Sequence, residues 1–330
     1  MKMSRLCMVG ALAVLLGSIV AGCGSQKSDL AAGSTASAGT ASPSSGIKET
    51  ASPKPAAQEK TVKDEIGHEV RIPADPKKIL GIYLEDELLS LGIQPFKQSK
   101  IGTWSGQDYL GLSVPAIDVN GSVEAVLEAA PDLILENVYD EKRYGQFSKV
   151  APMYAFKDAR ADWRATIRIL GDLFGKSDKA KDVIAKYDQK AQQTGAAIKQ
   201  KIGNQTVAII RVHTKEIRLY GGPGYAGPVV YQDLGLTPSK LVRDLILDKN
   251  GKVVPISLEV IPQLDADHIF ITTDTGAEDK TKELLANPLW QSLPAVKQGH
   301  VYPVNFETWM KSGPIADSKK IDDVLAALVK

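Results

Sequence analysis

Ser122-Val-Glu-Ala-Val-Leu-Glu-Ala-Ala-Pro-Asp-Leu-Ile-Leu135 and Ser257-Leu-Glu-Val-Ile-Pro-Gln-Leu-Asp-Ala-Asp-His-Ile-Phe270 are written in one frame. Each opens on a Ser suited to cap a helix N-terminus, with a Glu two residues on where the helix dipole favours negative charge. Each then reaches an Asp, ten residues after the Ser, and a short apolar run fit for a buried strand. A helix, an acid and a strand repeated once at a distance argue for two lobes of the same α/β design.

The surroundings repeat as well. The first lobe opens on the strand-like Lys78–Leu84, followed by a helix ending near Leu91-Gly92, with Ile93–Phe96 and Val150–Phe156 as further strands. The second opens on Thr206–Val212, followed by a helical stretch over Pro228–Leu234 and a late strand over His300–Val304. Strands alternating with helices imply mostly parallel sheets. Between the lobes, Ala180, Val183, Ile184, Tyr187, Ala191, Thr194, Ile198 and Ile202 fall three or four apart on one helical face. Ser177 caps this helix and Gly203 ends it, which gives a connector roughly 38 Å long. Gly195 inside it is expected to cost about 1 kcal/mol relative to Ala.

The N-terminus reads as a secretion and anchoring device. Lys2 and Arg5 precede an apolar run from Leu6 to Val20, and Ala21-Gly22 lead into Cys23. This is a signal peptide over 1–22 with a lipobox cysteine after it, so Cys23 is expected to carry acyl chains that hold the protein to a membrane. Residues 23–60 are rich in Ser, Ala, Pro, Thr and Gly and read as a disordered tether. The remaining expected boundaries are a first lobe over 61–176, a connecting helix over 177–203 and a second lobe over 204–330. Cys7 lies within the signal, so the mature chain has neither a disulfide framework nor a Cys-based metal site.

Composition excludes more. The chain has 40 Lys and Arg against 39 Asp and Glu and no basic tract, which argues against nucleic acid. No phosphate-binding loop, nucleophile elbow or glycine fingerprint follows a strand, so no enzymatic centre is expected. Gly221-Gly222-Pro223-Gly224 reads as a turn, and Glu85 and Glu87 as acids opening a helix. The four His residues are scattered, and only His213 falls in an expected cleft loop, so no directly bound metal is expected.

The chain resembles the substrate-binding lipoproteins of ABC importers for ferric siderophores, haem or cobalamin. The resemblance spans nearly all of 61–330. It is carried by Lys77-Lys78-Ile79-Leu80, Leu91-Gly92-Ile93-Gln94-Pro95, Ala130-Pro131-Asp132-Leu133-Ile134, Val150-Ala151-Pro152, Tyr231-Gln232-Asp233-Leu234-Gly235-Leu236, Asn287-Pro288-Leu289-Trp290 and Ala295-Val296-Lys297-Gln298-Gly299-His300-Val301-Tyr302, behind the lipobox. It implies two Rossmann-like lobes joined by one long helix, a ligand cleft between them, and a monomeric extracytoplasmic receptor without a cofactor. The transported ligand would be a ferric siderophore, delivered to an ABC permease dimer. Haem or cobalamin binding, and a surface-anchored enzyme or adhesin, are the alternatives. The resemblance also implies docking through an acid on each lobe, Glu87 on the first and Asp233 on the second.

Ligands of open parallel sheets bind beyond the carboxyl ends of the strands. The loops there carry cations and aromatics together, which suits an anionic chelate. The expected ligand contacts are Lys97, Lys100, Trp104, Tyr139, Arg143, Arg160, Arg164, Arg211, His213, Tyr225 and Trp309.

Overall fold

The computed structural model describes residues 58–100, 106–119, 123–136 and 140–329. It opens on a small antiparallel pair, β1 (Lys60–Lys63) and β2 (Glu69–Ile72). The first lobe's sheet is β3 (Ile79–Ile82), β6 (Leu133–Glu136) and β7 (Met153–Ala155), parallel throughout. All residues of these three strands are buried, as expected of a parallel sheet covered on both faces. A second parallel pair, β4 (Gln98–Lys100) and β5 (Ala116–Asp118), stands beside it. The strand expected over Ile93–Phe96 thus begins only at Gln98. The covering helices are α1 (Glu85–Ser90), α2 (Val123–Ala129), α3 (Glu141–Phe147) and α4 (Trp163–Leu173).

The connector α5 spans Ser177–Ile202 and buries the face predicted for it, including Ala180, Ile184, Tyr187, Ala191 and Ile198. Its N-cap position is Lys176, and the Ser177 hydroxyl bonds Asp172 Oδ1 at 2.5 Å instead of capping. Gly195 is more than a weak point. A Cβ there would lie 2.5 Å from the Leu234 carbonyl oxygen, so only Gly lets the second lobe pack against this helix.

The second lobe holds a mixed sheet in the order β11 (Val253–Ile256), β9 (Ile217–Tyr220), β8 (Thr206–Val212), β12 (His268–Thr273), β13 (Val301–Pro303). The short β10 (Thr237–Pro238) pairs with β8. β8, β12 and β13 run parallel, while β9 is antiparallel to both its neighbours, β8 and β11. Its helices are α6 (Lys240–Leu245), α7 (Glu278–Ala286), the single turns α8 (Pro288–Gln291), α9 (Pro294–Lys297) and α10 (Phe306–Trp309), and the terminal α11 (Pro314–Leu328). The helical stretch at Pro228–Asp233 is a π-helical turn.

The sequence echo has a physical cause. Asp132 accepts the backbone N–H groups of Lys77 at 2.7 Å and Lys78 at 3.0 Å, just ahead of β3. Asp267 accepts the N–H of Thr206 at 2.7 Å and its hydroxyl at 2.9 Å, at the start of β8. In each lobe the repeated acid secures the entry of the parallel partner strand, where backbone donors would otherwise be unpaired. One apolar cluster fills the second lobe and another the first, and a third runs through α4, α5 and α11 and touches both sheets.

Candidate functional site

The site lies where the carboxyl ends of the two sheets face each other. Tyr83 follows β3 directly and holds a left-handed backbone, φ 58°. A bulky residue there is strained, and such strain clusters at functional positions. Two cations from different parts of the chain stand over its ring: Arg160 Cζ at 5.3 Å and Lys311 Nζ at 5.4 Å from the ring centroid. Ser99 in β4 is the hub beneath. Its hydroxyl accepts the Tyr83 N–H at 3.0 Å, its N–H donates to Glu85 Oε1 at 2.6 Å, and its hydroxyl donates to the same oxygen. Gln107 Nε2 donates to its carbonyl at 3.3 Å. From the second lobe, Glu307 Oε2 accepts the Asp108 N–H at 3.2 Å.

Two polar atoms here, Tyr83 Oη and Glu85 Oε2, are buried without a hydrogen-bond partner. Native proteins rarely leave such groups unmet unless something else fills the space. Burial pushes the Tyr83 hydroxyl up to about 12, against the pull of Arg160. Burial also raises the Glu85 and Glu307 carboxyls. It lowers the Lys311 ammonium to about 8, with Arg160 adding to the shift and Glu85 and Glu307 opposing it.

The expected ligand contacts separate into groups. Arg160, Arg164 and Tyr225 line one cavity of about 250 Å³ between the lobes, together with Asp162, Gln232 and Asp233. Arg164 is already paired, with Asp188 Oδ1 at 2.7 Å and Asp233 Oδ1 at 3.2 Å. Arg143 pairs with Glu136 Oε1 at 2.5 Å, and burial lifts that carboxyl to about 7 while Arg143 opposes the rise. Lys97 is half-buried just before β4, and Lys100 is exposed at its end.

Arg211 is 1 % exposed and forks onto Asp274, Nε to Oδ1 at 2.6 Å and Nη2 to Oδ2 at 2.8 Å, while Nη1 donates to Tyr220 Oη at 3.0 Å. His213 Nε2 stands 3.7 Å from Asp274 Oδ2, and burial lowers its pKa. Arg211 is therefore a buried strut, where the sequence suggested a ligand contact. Trp309 is also a core residue. It is fully buried, stacks on Phe270 with centroids 5.0 Å apart, and donates Nε1–H to Asp323 at 2.8 Å. Trp104, Tyr139 and Cys23 lie outside the described residues.

Neither expected docking acid is a free surface charge: Glu87 is buried, and Asp233, its side chain 16% exposed, lines the cavity and is already paired. Glu87 is 2 % exposed, and burial holds its carboxyl well above the usual range, with Asp86 reinforcing the rise. Asp233 accepts Tyr187 Oη–H at 2.7 Å as well as Arg164. A docking contact needs an exposed, available charge; Glu87 is not exposed, and Asp233 is held by Arg164 and Tyr187.

The sequence leads to cleft loops over Tyr83–Asp86, Gln98–Tyr109 and Phe306–Lys311, which hold Tyr83, Ser99, Gln107, Glu307 and Lys311, and pairs Lys311 with Trp309, but none of the five is among the expected ligand contacts. Tyr83's sign, a positive φ, is invisible in sequence. Glu307 and Lys311 sit at i and i+4 after the last strand, a spacing that would have flagged them.

Residues 98–308 match the family model described as periplasmic binding protein. The chain belongs to that family, and its fold is that of two α/β lobes on one long helix. The chain is similar to a probable siderophore-binding lipoprotein, YfiY, of Bacillus subtilis (strain 168), at 32% identity covering 82% of this chain and 88% of that protein. It is similar to the iron(3+)-hydroxamate-binding protein YxeB of the same organism at 33% identity, covering 79% and 83%. Among solved structures it resembles the FhuD fold-family periplasmic binding protein component of a Fep/Fec-like ferrichrome ABC transporter from Bacillus subtilis. The TM-score is 0.71 and the identity 27%, covering 82% of this chain and all of that one.

Proposed function

We propose that this protein is the receptor of an ABC importer, binding a ferric siderophore between its lobes and delivering it to a permease dimer. The observation that carries the reading is the Tyr83 platform. A strained aromatic with Arg160 and Lys311 over its ring, and with its own hydroxyl and Glu85 Oε2 buried without partners, is suited to meet a polar ligand. The relatives' names point to the same ligand class. We read the receptor as non-enzymatic because the family it belongs to is one of binding proteins.

The lipobox reading of Cys23 places the protein on the extracytoplasmic face of the cell membrane, held by lipid. No helix of the described residues is long and apolar enough to cross a membrane. Docking on the permease uses exposed residues other than Glu87 and Asp233.

The test is a titration of intrinsic fluorescence with a panel of ferric siderophores, haem and cobalamin. A saturable change with a siderophore, and recovery of that chelate unaltered, is expected. Saturation only with haem or cobalamin, or chemical conversion of the chelate, would overturn the reading. Labelled palmitate should appear on wild-type protein in a producing cell and be lost in Cys23→Ala.

A further inference from the structure

The charges in the cleft are matched, and this bears on which chelate it takes; the inference rests on the receptor reading above. Several cations that the sequence assigned to the ligand are answered by carboxylates of the same chain. Arg211 is forked onto Asp274, Arg143 pairs with Glu136, and Arg164 pairs with Asp188 and Asp233. Lys100 stands opposite Asp118 in the β4–β5 register. Of those cations Arg160 and Lys97 remain, and Arg160 stands over the Tyr83 ring together with Lys311. The field of Glu85 and Glu307 acts on Lys311 at the same spot. Segments 101–105, 120–122 and 137–139 contain no Lys, Arg, His, Asp or Glu, so they leave this balance unchanged.

We infer that the cleft selects a ferric chelate of low net charge, of the hydroxamate type, over a triscatecholate, and that Glu307 and Glu85 set this preference. Three hydroxamates just neutralise ferric iron, whereas three catecholates leave a trianion. A trianion needs a surplus of cations, and at Tyr83 the cations Arg160 and Lys311 stand beside the Glu85 and Glu307 carboxyls. A carboxylate beside catecholate oxygens is a like-charge contact in a partly dry site, where repulsion is weakly screened and works as a device against the wrong ligand. Lys311, pushed down to about 8 by burial, is the weaker of the two cations. The rest of the platform suits a neutral chelate: the Tyr83 hydroxyl is a buried donor without a partner, free to bond a hydroxamate oxygen.

Fluorescence titrations of the full chain with ferrioxamine B, a hydroxamate chelate, and ferri-bacillibactin, a triscatecholate, test this. Wild type is expected to bind ferrioxamine B at least about tenfold more tightly, the scale of one like-charge contact near a protein surface. Glu307→Gln should narrow that ratio by about tenfold through tighter catecholate binding, and Glu307→Lys should narrow it further. Glu85→Gln should act in the same direction; Glu307, half-exposed, provides the test if the buried Glu85 variant does not fold. Tighter binding of ferri-bacillibactin by wild type, or Glu307 variants that move both affinities equally, would overturn the inference while leaving the receptor reading intact. Binding of neither chelate by folded protein would overturn the receptor reading, and the inference with it.

Discussion

Arg211 shows how a side chain's neighbours decide its role. Its place at the end of a strongly apolar strand was legible, and it pointed toward the cleft. Its partner was not legible, because Asp274 is 63 residues further on. Only the parallel register of β8 and β12 brings the two together. Removing the guanidinium leaves a buried carboxylate unanswered, which costs about 3–5 kcal/mol. Arg211→Ala should therefore lower the urea midpoint strongly, and Arg211→Met with Asp274→Leu should recover much of the loss. A single variant within about 1 kcal/mol of wild type would mean the pair is not a strut.

His268 makes a second prediction at this scale. Its Nδ1 is 3.1 Å from Tyr302 Oη and its Nε2 3.0 Å from Gln205 Oε1. Burial, with His300 adding to it, lowers its pKa from 6.5 to about 4. The unfolded chain then takes up the proton first. The stability this residue supports is whole above pH 6.5 and falls as pH drops from there toward 4. The loss is at most about 3 kcal/mol. Denaturant curves of wild type and His268→Gln should converge toward pH 4; parallel curves would refute the neutral buried imidazole.

Among the elements, those written in local pattern were legible. The long helix came from its periodicity and Gly203, and the paired lobes from the repeated Asp132 and Asp267 frames. What failed depended on packing. The acids Glu85 and Glu87 were placed correctly at a helix start, but sequence does not reveal that α11 packs against this helix or that Asp86 between them meets it. Asp86 accepts the N–H groups of Ile315 and Ala316, both at 2.8 Å, and so caps the terminal helix from the first lobe. Gly313 allows this approach: its φ is 144°, and a Cβ there would lie 2.5 Å from the Asp86 carboxyl carbon. Gly313→Ala should cost about 1–3 kcal/mol, seen as a lower melting temperature. Burial, eased by the two N–H donors, raises Asp86 from 3.8 to about 7. Its contribution is then fully present below pH 3.8 and lost as pH rises through about 7. The stability of wild type relative to Asp86→Asn should decline across that window, and a pH-independent difference would contradict the assignment.

At the scale of the whole molecule, the two lobes share a core. The cluster around α4, α5 and α11 takes in Leu84 and Leu88 from the first lobe and Ile209, Phe270 and Trp309 from the second. The Asp86 cap binds the first lobe to α11, and Lys190 on α5 holds Asp322 at 2.7 Å and the Ser318 hydroxyl at 2.7 Å on that helix. A wide clamshell opening would expose this shared core. Uncovering 400 Å² of apolar surface alone would cost about 10 kcal/mol, comparable to the stability of a whole domain. The contacts that can give are at the rim, where Glu307 meets Asp108 and Lys252 stands 3.5 Å from Asp158, both exposed. Ligand binding should therefore move loops and rotate the lobes slightly. Scattering profiles with and without the best siderophore should nearly superimpose. Hydrogen exchange should slow around Tyr83, Asp108 and Glu307 on binding, while α5 and α11, protected in both states, stay unchanged. A clear fall in radius of gyration, with new protection in α5, would mean that the shared core opens in the free protein and that the lobes close as a hinge.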